Sequence, residues 1–326
     1  MLVNLNDVLI PARNNKYAVG LFNTVNLEMA RGVLAAAEAR QAPVIIGTAE
    51  VLVPCTPLEE LADFLIPMAK RAGVPVVVHF DHGLTFEKCM EALKLGFTSI
   101  MYDCSTDSYD ENIRKVKELT RIAHCFGATV EGELGHVGDN EGSAEGHSAP
   151  EASDAATVDY TQAVAAASGE HSASAGGDFA VSDPTAYYTQ PEQARDYVEK
   201  TGVDALAIAV GTAHGAYKVK PQLDFERIAE IRKIVDIPLV LHGGSGLSDE
   251  DFRKTIANGI SKVNIFTDLN AAASEAVKEA QLMGKAVMTD IIPYQIEAIR
   301  KAAEMKMELF GSGNQIRVSS KTRGQS

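Results

Sequence analysis

The chain has 326 residues, 46% of them hydrophobic, which is enough for a large core in one α/β barrel or in two domains. A net charge of −14 without a basic cluster argues against a nucleic-acid partner, and no apolar stretch has the length of a membrane span. Four scattered cysteines without CxxC spacing, together with an N-terminal segment unlike a secretory leader, predict reduced thiols in a cytoplasmic protein.

Short apolar runs alternate with amphipathic segments along most of the chain. A run of β-branched residues predicts a strand that is buried on both faces, and the amphipathic segments predict the helices that cover it. Eight such units in series predict a (β/α)8 barrel (TIM barrel), because a doubly wound open sheet needs a break in the order that is absent here. The predicted strands are residues 17–22, 43–48, 75–80, 98–103, 128–134, 204–210, 238–242 and 262–266.

The alternation is interrupted once and is extended at the end. Residues 139–186, after the fifth strand, are rich in Ala, Ser, Gly and acids and contain few large apolar residues. This composition predicts a mobile low-complexity insertion at the catalytic rim, either a lid or a surface excursion. After the eighth strand, two further helices are predicted at about 268–284 and 291–310. We therefore expect a single barrel domain over residues 1–326.

Three of the predicted strands end in a histidine that is followed directly by glycine: His82, His214 and His242. The carboxyl ends of all strands in a parallel barrel meet at one rim, where such folds carry their active sites. A single histidine at a strand end is more often a hydrogen-bonded structural residue. Three in the same local setting favour a shared metal, and three imidazoles with an open fourth position are typical of catalytic zinc. Asp81 directly precedes the first of them.

Several segments together resemble the class II, zinc-dependent ketose-bisphosphate aldolases, which include fructose- and tagatose-bisphosphate aldolases. The resemblance extends from Tyr17 to about Gly311. It implies a (β/α)8 barrel, a cytoplasmic lyase of carbohydrate metabolism, and a homodimer or homotetramer. The segments, in chain order, are YAVGLFN, HFDHGLTFE, DENIRKVKELT, VEGELGHVG, VDALAIAVGTAHGAYK, IPLVLHGGSG, KVNIFTDL and KMELFGSG.

The resemblance also implies a metal site and two catalytic acids. One zinc ion per chain would be held by the three strand-end histidines, with Glu133 as a nearby acid that can also coordinate it. Asp81 would handle the proton of the substrate C4 hydroxyl, and Glu141 would exchange the proton on C3. The alternative for Asp81 is a carboxylate that only orients a ligand imidazole. A monovalent cation held by backbone carbonyls near the second and third histidines is implied as well.

Glycines and hydroxyl side chains after three of the strands predict a phosphate site, because they offer N–H and O–H groups next to predicted helix N-termini. The resemblance implies that this site takes the C1 phosphate of a small phosphorylated ketose. Side chains matching the family's lysine and asparagines complete it. The residues expected at the substrate and its phosphate are Asn23, Gly215, Lys218, Gly243, Ser245, Asn264 and Thr267.

The sequence departs from the family pattern at Phe266, where family members often carry aspartate or alanine facing the far half of the substrate. Phenylalanine cannot hydrogen-bond a sugar hydroxyl and occupies more volume than alanine. We therefore expect Phe266 to affect specificity, unless its ring turns away into packing. The predicted reaction is retro-aldol cleavage of a ketose 1-phosphate or 1,6-bisphosphate to dihydroxyacetone phosphate and an aldehyde that the sequence does not specify.

Two other functions are compatible with a barrel of this kind. A non-catalytic subunit that stabilises a partner aldolase would be expected to lose the histidines or the acid, yet all are present in this sequence. A metal-dependent hydrolase usually has an HxH pattern on the first strand, and the run YAVGLFN contains no histidine.

Overall fold

Eight parallel strands close into a barrel in the computed structural model, which describes residues 1–135, 137–139, 187–214 and 221–316. Each barrel strand pairs with its neighbours in the sequence, and the last, β11, pairs with the first, β2, so the sheet has no open ends. The strands in chain order are β1 (Leu2–Val3), β2 (Val19–Asn23), β3 (Val44–Ala49), β4 (Val76–Gly83), β5 (Ser99–Tyr102), β6 (Thr129–Leu134), β7 (Gly138–Asp139), β8 (Ala205–Ile208), β9 (Ala213–His214), β10 (Leu239–Leu241) and β11 (Ile260–Ile265).

The barrel order is β2–β3–β4–β5–β6–β8–β10–β11, and all eight strand predictions and the barrel prediction are confirmed. An open doubly wound sheet is excluded because Lys262 to Ile265 pair in register with Val19 to Phe22. The short strand β1 adds to the amino end of β4. Strands β7 and β9 form a separate two-residue parallel ladder.

Helices follow the barrel strands and cover the sheet. They begin with acidic residues and several end with basic ones, which suits the helix dipole. The helices are α1 (Leu5–Asn15), α2 (Leu27–Arg40), α3 (Leu58–Arg71), α4 (Phe86–Leu95), α5 (Tyr109–Cys125), α6 (Pro191–Thr201), α7 (Phe225–Ile234), α8 (Asp249–Asn258), α9 (Thr267–Leu282) and α10 (Met288–Leu309). Within these described segments, none has both the length and the apolar character that crossing a bilayer requires.

The strand side chains alternate between two environments, as the pleat of a strand requires. On β4, Val76, Val78 and Phe80 belong to the apolar layer between the sheet and the helices. Val77 belongs to a second apolar cluster inside the barrel. His79 and Asp81, the next residues of β4 that point inward, are polar. The inward face of β4 therefore changes from apolar to polar toward its carboxyl end.

Helix α1 closes the amino end of the barrel. Asn4 and Asp7 form a reciprocal capping box that fixes the start of the helix. The apolar face of α1 packs against inward side chains from the first residues of the strands. The cluster contains Leu5, Val8, Leu9, Ala12, Tyr17, Val19, Leu21, Ile45, Val77, Ala205, Ala207 and Val240. The half of the barrel at the amino ends of the strands, the lower half, is thus a packed apolar core. The half at their carboxyl ends, the upper half, holds the polar groups.

The two C-terminal helices predicted from the sequence are confirmed as α9 and α10. Helix α10 packs closely along α2, where a Cβ on Gly32 would lie only 2.7 Å from Ile299. The carbonyl of Phe310 then accepts a hydrogen bond from the backbone of Ala18 at 3.0 Å. Residues 140–186, which contain nearly all of the predicted insertion, lie outside the described residues.

Candidate metal and catalytic site

Eight polar side chains point into the upper half of the barrel because they occupy inward positions near the carboxyl ends of five strands. They alternate with outward apolar residues such as Val130, Leu134, Val263 and Ile265. Most of them are fully buried, where a polar group without a partner is costly. The eight are Asn23, His79, Asp81, Glu131, Glu133, His242, Lys262 and Asn264.

Asp81 is held as an acceptor from several sides. The amide of Asn23 donates to Oδ2 at 2.8 Å, and the amide of Asn264 donates to Oδ1 and Oδ2 at 3.1 and 3.2 Å. Nε2 of His79 lies 3.5 Å from Oδ1. Burial alone would raise the pKa of Asp81, but the charges of His82 and Lys262 and the adjacent His79 hold it well below its usual value. Asp81 is therefore a buried, ionised carboxylate.

His82 has a backbone φ of +40°, which is uncommon for a residue with a side chain. The carboxylate of Glu50 accepts hydrogen bonds from the backbone of Leu84 at 2.7 Å and of Thr85 at 3.0 Å, which anchors the turn after β4. Nδ1 of the His82 ring lies 2.8 Å from Oδ2 of Asp103. The ring is thus oriented by a carboxylate, as metal-binding histidines usually are.

His242 lies between two buried carboxylates. Its Nε2 is 2.8 Å from Oε1 of Glu131, and its Nδ1 is 3.0 Å from Oε2 of Glu133. Burial lowers the pKa of this histidine, but its hydrogen bonds to the two carboxylates outweigh burial and raise the pKa to about 10. The ring centroids of His82 and His242 are 4.6 Å apart. This pocket stabilises positive charge between the two imidazoles.

The backbone at His214 is brought close to the His242 turn. Gly243 has φ +65°, and a Cβ there would overlap the carbonyl oxygen of Ala213 and lie 2.7 Å from its carbonyl carbon. His214 follows in β9, where it pairs with Asp139. Its side chain lies outside the described part of the structure. The structure thus joins the segments of the second and third predicted ligands through their backbones.

The donor set fits a divalent metal ion. Donor atoms of Asp81, His82 and His242 all lie within 4.8 Å of one another, and so do those of His82, Asp103 and Glu133. These are nitrogen and oxygen donors, which suit zinc and its neighbours in the periodic table. Glu131 brings the number of buried carboxylates in the cluster to three, with Asp81 and Glu133, and Lys262 contributes one ammonium. This excess of buried negative charge favours a bound cation.

The residues predicted at the substrate are only partly brought together among the described residues. Asn23 and Asn264 both contact Asp81. Ser245 is buried in the turn after β10, and Thr267 is the first residue of the long helix α9. Three of the predicted residues lie outside the described residues: Glu141, Gly215 and Lys218.

Phe266 is half-buried and packs against the apolar layer between the strands and the helices. Its carbonyl accepts hydrogen bonds from the backbone of Leu269 and Asn270 at 3.0 and 3.1 Å, so the residue also begins α9. At least part of the ring is therefore used for packing. Its role in substrate choice stays a prediction.

Four residues of this site were missed by sequence reasoning: His79, Asp103, Glu131 and Lys262. Three of them stand two positions before a predicted site residue on the same strand, so they share its inward face. That spacing could have indicated them. Asp103 directly follows β5 and gives no comparable signal.

Comparison with known proteins agrees with this geometry. The family model described as class II fructose-bisphosphate aldolase matches residues 3–315. The chain is 39% identical over 301 residues to the protein YdjI of Escherichia coli K12, covering 92% of this chain and 94% of that protein. It is 36% identical over 340 residues to a fructose-bisphosphate aldolase from Thermus caldophilus, covering 96% and 99%.

The fold comparison points the same way. The crystal structure of the YdjI aldolase from Escherichia coli K12 superposes with a TM-score of 0.78 and 34% sequence identity, covering 97% of this chain and 100% of that one. A fructose-bisphosphate aldolase from Campylobacter jejuni shares the fold with a TM-score of 0.75. With a closed barrel, a buried acid beside two converging histidines, and a family model that spans residues 3–315, the chain belongs to the class II fructose-bisphosphate aldolases.

Proposed function

We propose that this protein is a zinc-dependent aldolase that cleaves a ketose 1-phosphate or 1,6-bisphosphate between C3 and C4. The products are dihydroxyacetone phosphate and an aldehyde. The observation that carries the proposal is the convergence of donor atoms from Asp81, His82 and His242 within 4.8 Å at the carboxyl end of the barrel. Family membership supplies the reaction class.

Zinc is proposed to bind His82, His214 and His242, with Glu133 beside it, and when bound it would act as a Lewis acid on the substrate carbonyl. The residues around it orient these ligands. Asp103 holds the ring of His82, and Glu131 holds that of His242. Such partners fix which ring nitrogen carries the hydrogen.

Asp81 is proposed to accept the C4 hydroxyl proton during cleavage and to return it during condensation. Its carboxylate is already ionised and is held by two amides, so little reorganisation precedes proton transfer. Asn23 and Asn264 converge on the same carboxylate, so a hydroxyl that reaches Asp81 comes near both amides. Glu141 is proposed to exchange the proton on C3.

The C1 phosphate is proposed to bind around the turn after β10 and the start of α9. Gly243 and Ser245 belong to that turn, and Thr267 begins a helix of 16 residues whose N-terminus attracts anions. Gly215 and Lys218 complete the proposed site. A monovalent cation, a homodimeric or homotetrameric assembly and a cytoplasmic location belong to the same proposal.

The proposal is tested by a retro-aldol assay on a panel of ketose 1-phosphates and 1,6-bisphosphates. Dihydroxyacetone phosphate is followed by coupled reduction, using protein loaded with zinc, protein treated with a chelator, and protein to which zinc has been restored. We expect cleavage of at least one panel member, lost on chelation and regained with zinc. The Asp81→Asn variant should lose about 10²- to 10⁴-fold in kcat, the usual contribution of a positioned acid or base.

Two results would contradict the proposal. If zinc binds at one per chain and no panel member is cleaved, the non-catalytic subunit becomes the better interpretation. If cleavage persists fully in the Asp81→Asn variant, Asp81 only orients a ligand. The preferred panel member shows what the aldehyde end of the site accepts, and a Phe266→Ala variant tests whether Phe266 decides it.

A further inference from the structure

Lys262 is a lysine inside the barrel with no solvent exposure. Its Nζ lies 2.8 Å from Oε2 and 3.1 Å from Oε1 of Glu131, and 2.8 Å from Oδ1 of Asn264. A lysine is almost never fully buried unless it is paired. Here the ammonium joins two residues that each hold a different part of the proposed site.

On one side, Lys262 acts through Glu131. An ammonium group can only donate hydrogen bonds, so Oε1 of Glu131 accepts from it, and Oε2 is in ion-pair contact with it. Oε1 of Glu131 also lies 2.8 Å from Nε2 of His242. The hydrogen must therefore be on Nε2, and in the neutral ring the lone pair is on Nδ1. Nδ1 is the nitrogen that faces Glu133.

On the other side, Lys262 acts through Asn264. Because the ammonium has no lone pair, the amide must turn its carbonyl oxygen toward Lys262. The NH2 group then faces Asp81 and donates to both of its oxygens. Turning the amide over would set two donors against each other at Lys262 and two acceptors against each other at Asp81. The position of the ammonium thus decides the orientation of the amide.

We propose that Lys262 is a positioning residue that coordinates the two halves of the site: through Glu131 it selects the ring nitrogen that His242 offers to a metal, and through Asn264 it presents hydrogen-bond donors to Asp81. The inference rests on the proposed function and extends it. No other lysine or arginine among the described residues contacts Glu131 or Asn264.

The test uses three variants of the full chain. Lys262→Met removes the ammonium and keeps the length of the side chain. Lys262→Met combined with Glu131→Gln also removes the buried carboxylate charge, while the Gln oxygen can still accept from His242. Lys88→Met is the control, because it removes a partly exposed lysine–carboxylate pair, with Glu91 at 2.7 Å, on the outer helix α4 and away from the site.

Five quantities are measured for each variant: kcat, KM, zinc affinity, the visible absorption of the cobalt-substituted protein, and the melting temperature without metal. We expect Lys262→Met to lower kcat about 10- to 100-fold, with a smaller change in KM, and to alter the cobalt spectrum. It should also melt earlier, because Glu131 is left buried without its counter-charge. Lys88→Met should match the wild type in kcat and in the cobalt spectrum.

The double variant separates positioning from charge balance. Its melting temperature should return toward the wild-type value, because no unpaired charge is buried. We expect kcat to stay low, because the ammonium no longer holds the carbonyl oxygen of Asn264 and the amide is held only by Asp81. Recovery of kcat together with stability would overturn the proposal and leave Lys262 as a counter-ion only. So would a Lys262→Met variant with wild-type kcat and cobalt spectrum.

These readouts distinguish the failure of this proposal from the failure of the proposed function. If the wild type cleaves no ketose phosphate, but Lys262→Met changes the cobalt spectrum and weakens zinc binding, the aldolase function fails and the positioning role stands. If the wild type is active and Lys262→Met changes neither kcat nor the spectrum, the function stands and the positioning role fails. A wild-type protein that binds no metal contradicts both.

Discussion

His82 has an unfavourable, left-handed backbone conformation, and its side chain is held in place by a hydrogen bond. A non-glycine residue with a left-handed backbone costs about 1–3 kcal/mol, and such positions concentrate at functional sites. The anchors are the Glu50 carboxylate on the following turn and the Asp103 carboxylate on the ring. Both anchors are acidic, and they bind different parts of this segment. The conformation of His82 is therefore maintained from the backbone side and from the ring side independently.

Replacing Asp103 by asparagine tests the support of the ring. The amide is nearly the same size but can turn either a donor or an acceptor toward Nδ1 of His82, so it no longer selects one tautomer. We expect zinc affinity to fall about 10- to 100-fold, measured by competition with a chelating dye. Asp236→Asn, in a surface pair with Arg13, is the matched control. Equal zinc affinity in the two variants would show that Asp103 does not orient the ligand.

The four cysteines should differ sharply in reactivity. Burial raises the pKa of Cys104 to about 12 and that of Cys89 well above its usual range, whereas Cys125 is exposed. The thiolate is the reactive form, so near neutral pH the two buried thiols are protonated as well as shielded. We expect iodoacetamide to label Cys125 first, and Cys89 and Cys104 only in denaturant, as read by mass spectrometry of peptides. Rapid labelling of Cys104 in the folded protein would contradict its burial.

At the scale of elements, the turn after β10 shows how close packing builds the site. Gly243 has both a left-handed backbone and a carbonyl of Ala213 directly against it. A side chain at this point would separate the turn that carries His242 from the strand that carries His214. Glycine is thus required here for contact between two elements, and not for the turn alone.

Gly243→Ala should weaken zinc binding as well as stability. The left-handed backbone alone costs an alanine about 1–2 kcal/mol, and the overlap with Ala213 adds to it. Gly284→Ala is the matched control, because Gly284 has φ +81° but open space around its Cβ position. In urea unfolding we expect Gly243→Ala to be the less stable variant, and only it should lose zinc affinity. If the two variants have equal stability and equal zinc affinity, the contact between Gly243 and the Ala213 carbonyl supports neither.

The sequence predicts the strands well and the polar interior poorly. Runs such as VPVVVH are rich in β-branched residues, so all eight barrel strands could be located. His79, Glu131 and Lys262 were missed because each stands among apolar residues in the sequence. Their side chains meet polar neighbours only because alternate residues of each strand point into the closed barrel.

For the whole molecule, the separation of an apolar lower half from a charged upper half has thermodynamic consequences. The lower half, closed by α1, is an apolar cluster that contains none of these charged groups. The upper half concentrates three buried carboxylates, and the single ammonium of Lys262 offsets their charge only in part, so a bound metal ion would lower their mutual repulsion. Removal of metal should therefore lower the melting temperature, and addition of zinc should restore it, because a ligand bound only by the folded state stabilises that state.

The effect of metal removal should grow with pH. In the metal-free protein, Glu131 and Glu133 raise the pKa of His242 to about 10, from 6.5 in the unfolded chain. The folded state therefore holds a proton that the unfolded state has lost, so this stabilisation is complete below pH 6.5 and disappears as pH rises toward 10. We expect the melting temperature of chelated protein to fall over that range faster than that of zinc-loaded protein. If the melting temperatures of chelated and zinc-loaded protein fall in parallel with pH, the raised pKa of His242 is contradicted.

Closure of the barrel through β11 and β2 also imposes an order of events during synthesis. Asn23 leaves the ribosome early, Asp81 and His82 follow, and Asn264 belongs to the last barrel strand. An incomplete chain contains the acid and the first histidine, but it has neither the amide that completes the hydrogen bonds of Asp81 nor the lysine beside it. The complete cluster of charged side chains in the upper half of the barrel forms only when β11 pairs with β2. A half-made chain therefore cannot capture a metal ion in the arrangement described above, and capture is confined to molecules whose barrel is complete.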